Sequence, residues 1–151
     1  MSFALDERLA RDAFVIGDLP LSRVLLMNDA RWPWLILVPR RAGAVELTNL
    51  DAADRARLIE EAALAARFLR AHVKADKINI GALGNVISQF HLHVVARFVG
   101  DPAWPGPIWG HGVATPYDEA NAPALIEAAR KALEIQGQSA PLPQRRVKGL
   151  A

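Results

Sequence analysis

Two of the chain's four histidines, His91 and His93, stand two residues apart in the stretch VISQFHLHVVARF, with Gln89 two residues before the first. On a strand, successive side chains point to opposite faces, so Gln89, His91 and His93 would share one face and Phe90, Leu92 and Val94 the other. Three chemistries fit that pattern. In the plainest, the imidazoles are half-buried strand residues whose nitrogens are satisfied by neighbours. In the second, two imidazoles at a spacing of two hold a metal ion, which needs a third ligand, commonly a carboxylate a few residues on. Ala96, Arg97 and Phe98 occupy that stretch, and the Arg97 cation repels a metal, so further ligands would have to come from His72 or His111. In the third, one imidazole attacks phosphorus. A neutral ring whose one nitrogen proton is held by an acceptor keeps a free lone pair on the other nitrogen. A second imidazole then steadies a phosphate oxygen, and the amides of the Gly84-Asn85 turn cradle the phosphate.

The elements that must position these residues follow from hydrophobic periodicity. Leu5, Leu9 and Ala13 share a face at helical spacing and predict a short helix, followed by extended chain over Phe14, Val15 and Ile16. The apolar runs Arg23 to Met27 and Trp34 to Val38, parted by the turn residues Asn28-Asp29, predict a β-hairpin. Between Asn49 and Val73 the period becomes helical, with Asn49 or Asp51 as cap and Leu58, Ala62, Ala65 and Leu69 on one face. Lys77 to Leu83 and Val86 to Phe98 predict a second hairpin around Gly84-Asn85. From Gly100 to Pro116 the prolines Pro102, Pro105, Pro107 and Pro116 exclude a regular element, and Trp104, Trp109 and His111 are expected to pack in a core or dimer contact. Asn121 with Pro123 starts a last helix to about Ile135, and a disordered tail is expected over residues 137–151. The order predicts an α+β class: an antiparallel sheet of about five strands, a long helix packed against it and a C-terminal helix, in one domain over residues 1–136.

Composition narrows the function. At 151 residues the chain can bury a sizeable core, and the absence of cysteine excludes disulfides and thiolate metal sites. A net charge of +2 without a basic stripe speaks against long nucleic acid. The charged start MSFALDERLARD does not read as a secretion signal, and the longest apolar run is too short to cross a bilayer. A cytoplasmic protein without membrane contact is expected.

The stretch GNVISQFHLHVVAR resembles the signature of the histidine-triad (HIT) family of nucleotide hydrolases and transferases. That motif is His-h-His-h-His-h-h with h apolar, and it reads here Gln89-Phe-His91-Leu-His93-Val-Val. VLLMND, WLILVPRR and KINIGALGN occur in the family's order and at roughly its distances, so the resemblance covers about residues 23–100, and the Trp/Pro segment is similar in character to the family's C-terminal segments. It implies hydrolysis or transfer at the α-phosphorus of a nucleoside phosphate, phosphoramidate or dinucleoside polyphosphate through a nucleotidyl-histidine. It also implies a homodimer. No cofactor and no bound metal are expected, since the chain has no cysteine and no carboxylate near the motif. His91 takes the nucleophile's position, His93 steadies the phosphate or leaving group, and Gln89 supports them. Asn28, Asn79, Gly84, Asn85 and Val86 fall at nucleotide-binding positions. Two departures stand out: Gln89 replaces the first histidine, and Val86 stands where many members place a hydroxyl. They leave open a non-catalytic nucleotide-binding module of the same fold, with a metal-binding His-x-His protein as a second alternative. If Gln89 only orients its neighbours, Gln89→His is expected to keep or raise turnover.

Overall fold

A computed structural model describes residues 1–135, so the expected tail over 137–151 lies outside the described residues. Five strands form one antiparallel sheet: β1 (Ala13–Asp18), β2 (Ser22–Met27), β3 (Trp34–Pro39), β4 (Lys77–Gly81) and β5 (Leu92–Arg97), in the spatial order β1-β2-β3-β5-β4. Among the described residues three α-helices complete it: α1 (Glu7–Asp12), α2 (Ala52–His72) and α3 (Asn121–Ala132). The α+β class and the helix on the sheet are as expected.

Both faces of the central strands are covered, so they read as near-continuous apolar runs. Val24, Leu26, Leu35, Leu37, Val94 and Ala96 face α2 and α3. Leu25, Met27, Trp34, Ile36, Val38 and Val95 face the other way, under the N-terminal segment and the proline-rich excursion. That second face carries the site. Helix α2 starts where Asp51 accepts from the Asp54 amide at 2.8 Å, and it buries Leu58, Ala62, Ala65 and Leu69 as its period predicts. Its Glu61, also buried, accepts from the amides of Leu21 and Ser22 and so ties the helix to the start of β2. Among the described residues no helix is long and apolar enough to cross a membrane.

Three boundaries differ from the sequence reading. Helix α3 starts at Asn121 as expected, its first amide held by Asp118, but ends at Ala132 rather than near Ile135. Strand β4 stops at Gly81, before Leu83. Most consequentially, β5 begins at Leu92 and not at Val86. Residues 82–91 form an irregular loop, because the Phe90 amide donates to the Ala44 carbonyl (2.9 Å) on a distant turn instead of to a neighbouring strand. Gln89 and His91 therefore precede the strand, and the expected shared face of Gln89, His91 and His93 does not form.

Candidate active site

His93 is fixed by register. It pairs with Ile36 of β3 on one side and Gly81 of β4 on the other, so all three positions share a face. Trp34, two register pairs along and so on the same face, is a diagonal neighbour, and its indole Nε1 donates to His93 Nδ1 at 2.9 Å. Gly81 has no side chain to fill its place, and the Trp109 ring lies there. A Cβ built on Gly81 would stand 3.2 Å from Trp109 Cη2. Trp109 also packs edge-on against His93, with ring centroids 5.6 Å apart. His93 is thus fully buried between β3, β4 and the Trp109 ring.

His91 sits just before the strand, its ring edge-on to that of His93 with centroids 4.8 Å apart. It is 2% exposed, and its Nδ1 donates to the Gln89 carbonyl at 2.7 Å. Burial pushes the His91 pKa below the ordinary 6.5, opposed by the Gln89 carbonyl and by the Asp6 carboxylate. Burial, with His91 beside it, pulls His93 down to about 3. Both rings are neutral near pH 7. A pocket of about 250 Å³ opens beside His91, lined by residues 83–87, His91, Trp109 and Gly110, with His93 buried behind that lining. Gly84, at φ +73°, supplies the left-handed turn that other residues resist. Among the described residues the amides of Asn85 and Val86 meet no acceptor, and the Val86 side chain is exposed.

Polar groups without partners concentrate here. Among the described residues, six buried side-chain polar atoms have no hydrogen-bond partner, and three of these are His91 Nε2, His93 Nε2 and Trp109 Nε1. Since buried polar atoms are almost always paired, three such atoms on adjoining rings point to a site for a polar ligand. No group of three or more histidine, cysteine or carboxylate side chains suited to a metal occurs among the described residues.

The other expected site residues are distributed unevenly. Gly84, Asn85 and Val86 line the pocket with His91. Gln89 turns its side chain away: its Oε1 accepts from the Asp6 amide at 2.9 Å, and its Nε2 donates to the Ala4 carbonyl at 2.8 Å. What Gln89 presents to His91 is its backbone carbonyl. Asn28 is buried and accepts from the Tyr117 amide at 2.8 Å, pinning the chain after the excursion. Asn79 accepts from Arg97 Nη1 at 2.7 Å. Arg97 is 1% exposed, paired through two bonds with Asp101 and stacked over Trp104. Sequence reasoning missed Trp34 and put Trp109 in the packing. The signal for Trp34 lay in its type, since a buried indole N–H needs an acceptor.

The sequence matches the HIT domain family model over residues 8–100. No curated protein matches it. Among solved structures it is similar to a histidine triad (HIT) protein from Sinorhizobium meliloti, 50% identical over 86% of this chain and 96% of the other, with a TM-score of 0.84. It is likewise similar to a histidine triad protein from Bradyrhizobium japonicum, 44% identical over 88% and 99% of the two chains, TM-score 0.86. A histidine triad protein from Marinobacter aquaeolei is 42% identical over 89% and 98%, also at 0.86.

Proposed function

The chain belongs to the HIT domain family, and from that premise we propose that it is a nucleotide hydrolase or nucleotidyl transferase in which His91 attacks phosphorus. The substrate is a nucleoside phosphate, phosphoramidate or dinucleoside polyphosphate, cut at its α-phosphorus. One observation carries the reading: His91 Nδ1 is held by the Gln89 carbonyl while Nε2, buried and unpartnered, adjoins the pocket. A carbonyl can only accept, so the His91 proton sits on Nδ1 and the lone pair on Nε2.

In the first step the Nε2 pair forms a bond to the α-phosphorus and the bond to the leaving group breaks, its electron pair departing with that group. The ring becomes a cation, whose Nδ1–H the Gln89 carbonyl holds more strongly and whose charge the nearby Asp6 carboxylate favours. Water then attacks phosphorus, the N–P bond returns its pair to Nε2, and the water's proton leaves to solvent. An acceptor other than water makes the same step a transfer. Gly84 shapes the turn, and the amides of Asn85 and Val86 meet the phosphate. Asn28 and Asn79 hold the Tyr117 amide and the Arg97 guanidinium and do not line the pocket. A second copy of the chain fits the open edge of the sheet at β4, where Ile80 is exposed.

The test is to incubate the protein with a panel of adenosine and guanosine phosphoramidates and polyphosphates, quench early and look by mass spectrometry for a nucleotidyl adduct on His91. An adduct that His91→Ala abolishes without loss of fold is the expected result. Nucleotide binding without adduct or turnover on the whole panel would establish the second reading, a non-catalytic binding module. Val86 favours that second reading, because it offers no hydroxyl at the pocket.

A further inference from the structure

We propose that Trp34 is a positioning residue that locks His93 as a neutral hydrogen-bond donor through Nε2, so that His93 binds a phosphoryl oxygen of the substrate and passes no proton to the leaving group. The inference rests on the phosphoryl-transfer reading above and goes beyond it by assigning the second histidine's proton.

An indole N–H donates and never accepts. Its 2.9 Å contact therefore requires a lone pair on His93 Nδ1, and the one proton of the neutral ring must sit on Nε2. That Nε2–H is buried and has no acceptor among the described residues. A buried donor left unpaired destabilises the fold, so the arrangement is understandable where a ligand brings the acceptor. The neighbours indicate which acceptor. His91 lies edge-on at 4.8 Å and Trp109 at 5.6 Å, each with an unpartnered buried nitrogen. An oxygen on the phosphorus that His91 attacks is the atom that enters between these rings.

The lock also sets what His93 cannot do. Protonation at Nδ1 would eject the Trp34 N–H from its bond and bury a cation among Trp34, Trp109 and Ile36. The ring is thus held out of its acidic form, and a neutral imidazole N–H is far too weak an acid to protonate a departing group. No hydroxyl stands at Val86 to take over that task. As His91 Nε2 bonds to phosphorus, the electron pair of the broken bond leaves on the departing atom, which goes out as an anion and takes its proton, if any, from water.

Two measurements test this. In the full-length protein labelled with 15N-histidine, long-range 1H–15N correlation at neutral pH should show His93 with an unprotonated Nδ1 and a protonated Nε2. Trp34→Phe, which keeps a buried ring but removes the donor, should release the tautomer or admit protonation. Turnover of that variant should fall by at least about tenfold in kcat with little change in KM, since orientation and not binding is lost. A protonated Nδ1 in the parent overturns the lock, and this arm needs no variant to fold. Second, for nucleoside 5′-aryl monophosphates of graded phenol acidity, the parent's kcat/KM should rise steeply as the phenol becomes more acidic. A flat dependence overturns the claim that the leaving group departs without a proton. Should no nucleotide be turned over, the phosphoryl-transfer reading fails, while the parent spectrum still decides the lock by itself.

Discussion

Replacing Gln89 by alanine tests how the changed position of the motif works. The side chain makes two bonds to the N-terminal segment, one part-buried from the Asp6 amide and one exposed to the Ala4 carbonyl. At about 1 kcal/mol for the first and about 0.5 kcal/mol for the second, their loss weakens the hold on residues 4–8 by about 1.5 kcal/mol, roughly tenfold in local opening. The bond from Arg8 to the Val86 carbonyl remains, so the segment loosens without detaching. The Gln89 carbonyl also remains, so His91 keeps its acceptor. The expected outcome is about tenfold faster deuterium exchange at the Asp6 amide, measured by NMR, with turnover reduced by less than that factor. Gln89→His should fall between parent and alanine. An imidazole's donor and acceptor diverge across the ring, whereas an amide's lie side by side, so histidine can meet one of the two backbone groups but not both. That order reverses the expectation from sequence, in which restoring the histidine keeps or raises turnover. Unchanged exchange in Gln89→Ala would refute the clamp. A loss of turnover as deep as that of His91→Ala would show that the side chain takes part in the chemistry.

Acid stability follows from the buried imidazoles. Unfolded, they take up protons near 6.5, while in the fold burial holds His93 down to about 3 and His91 in the same direction. The unfolded state binds more protons between those values, so stability is whole above pH 6.5 and falls as pH drops toward 3. His93 alone withdraws on the order of 3 kcal/mol by pH 4. Carboxylates such as Asp101, held low by Arg97, lose their contribution only below the ordinary 3.8, so urea midpoints between pH 7 and 4.5 should flatten in His93→Gln. An unchanged slope would show that His93 titrates normally. Arg97→Met leaves the nearly buried Asp101 carboxylate without its cation and should cost about 3 to 5 kcal/mol in urea unfolding. A cost below about 1 kcal/mol would mark the pair as solvated after all. Gly81→Val drives a side chain into the Trp109 ring, already 3.2 Å from a Cβ there, and should shift tryptophan fluorescence and raise KM about tenfold while the fold persists. Unaltered fluorescence and KM would mean that Trp109 does not rest on Gly81.

The parts of this fold legible in the sequence were those decided by near neighbours. The runs at 24–27 and 34–38 are strands because each residue has apolar cover on its own face, and the face of α2 carrying Leu58, Ala62, Ala65 and Leu69 is buried as its period requires. The histidine strand misled for a local reason. Alternation of polar and apolar residues runs from Gln89 to Val94, but the backbone leaves it before Leu92 because Phe90 pairs with Ala44, more than forty residues away. No local pattern carries that information. The burial of Arg97 was not legible for a related reason: it depends on Asp101 folding back over the guanidinium, and the turn through Val99 and Gly100 that brings it there joins no strand. Asn28 and Asn79, expected from sequence at nucleotide-binding positions, are both spent on backbone and guanidinium partners.

The two histidines are held in different ways, and this bears on why the first motif position can change. The tautomer of His91 is set by the backbone carbonyl of residue 89, which every amino acid supplies, so the side chain there is released for other work and here binds Ala4 and Asp6. The tautomer of His93 is set by a side chain, and only a donor with no accepting atom at that site gives the same answer as the Trp34 indole. A serine or histidine at position 34 could turn its lone pair toward Nδ1 and allow the opposite tautomer, placing the proton where it is useless to the pocket. The motif's chemistry is therefore tolerant at residue 89 and strict at residue 34, which lies outside the motif on a neighbouring strand.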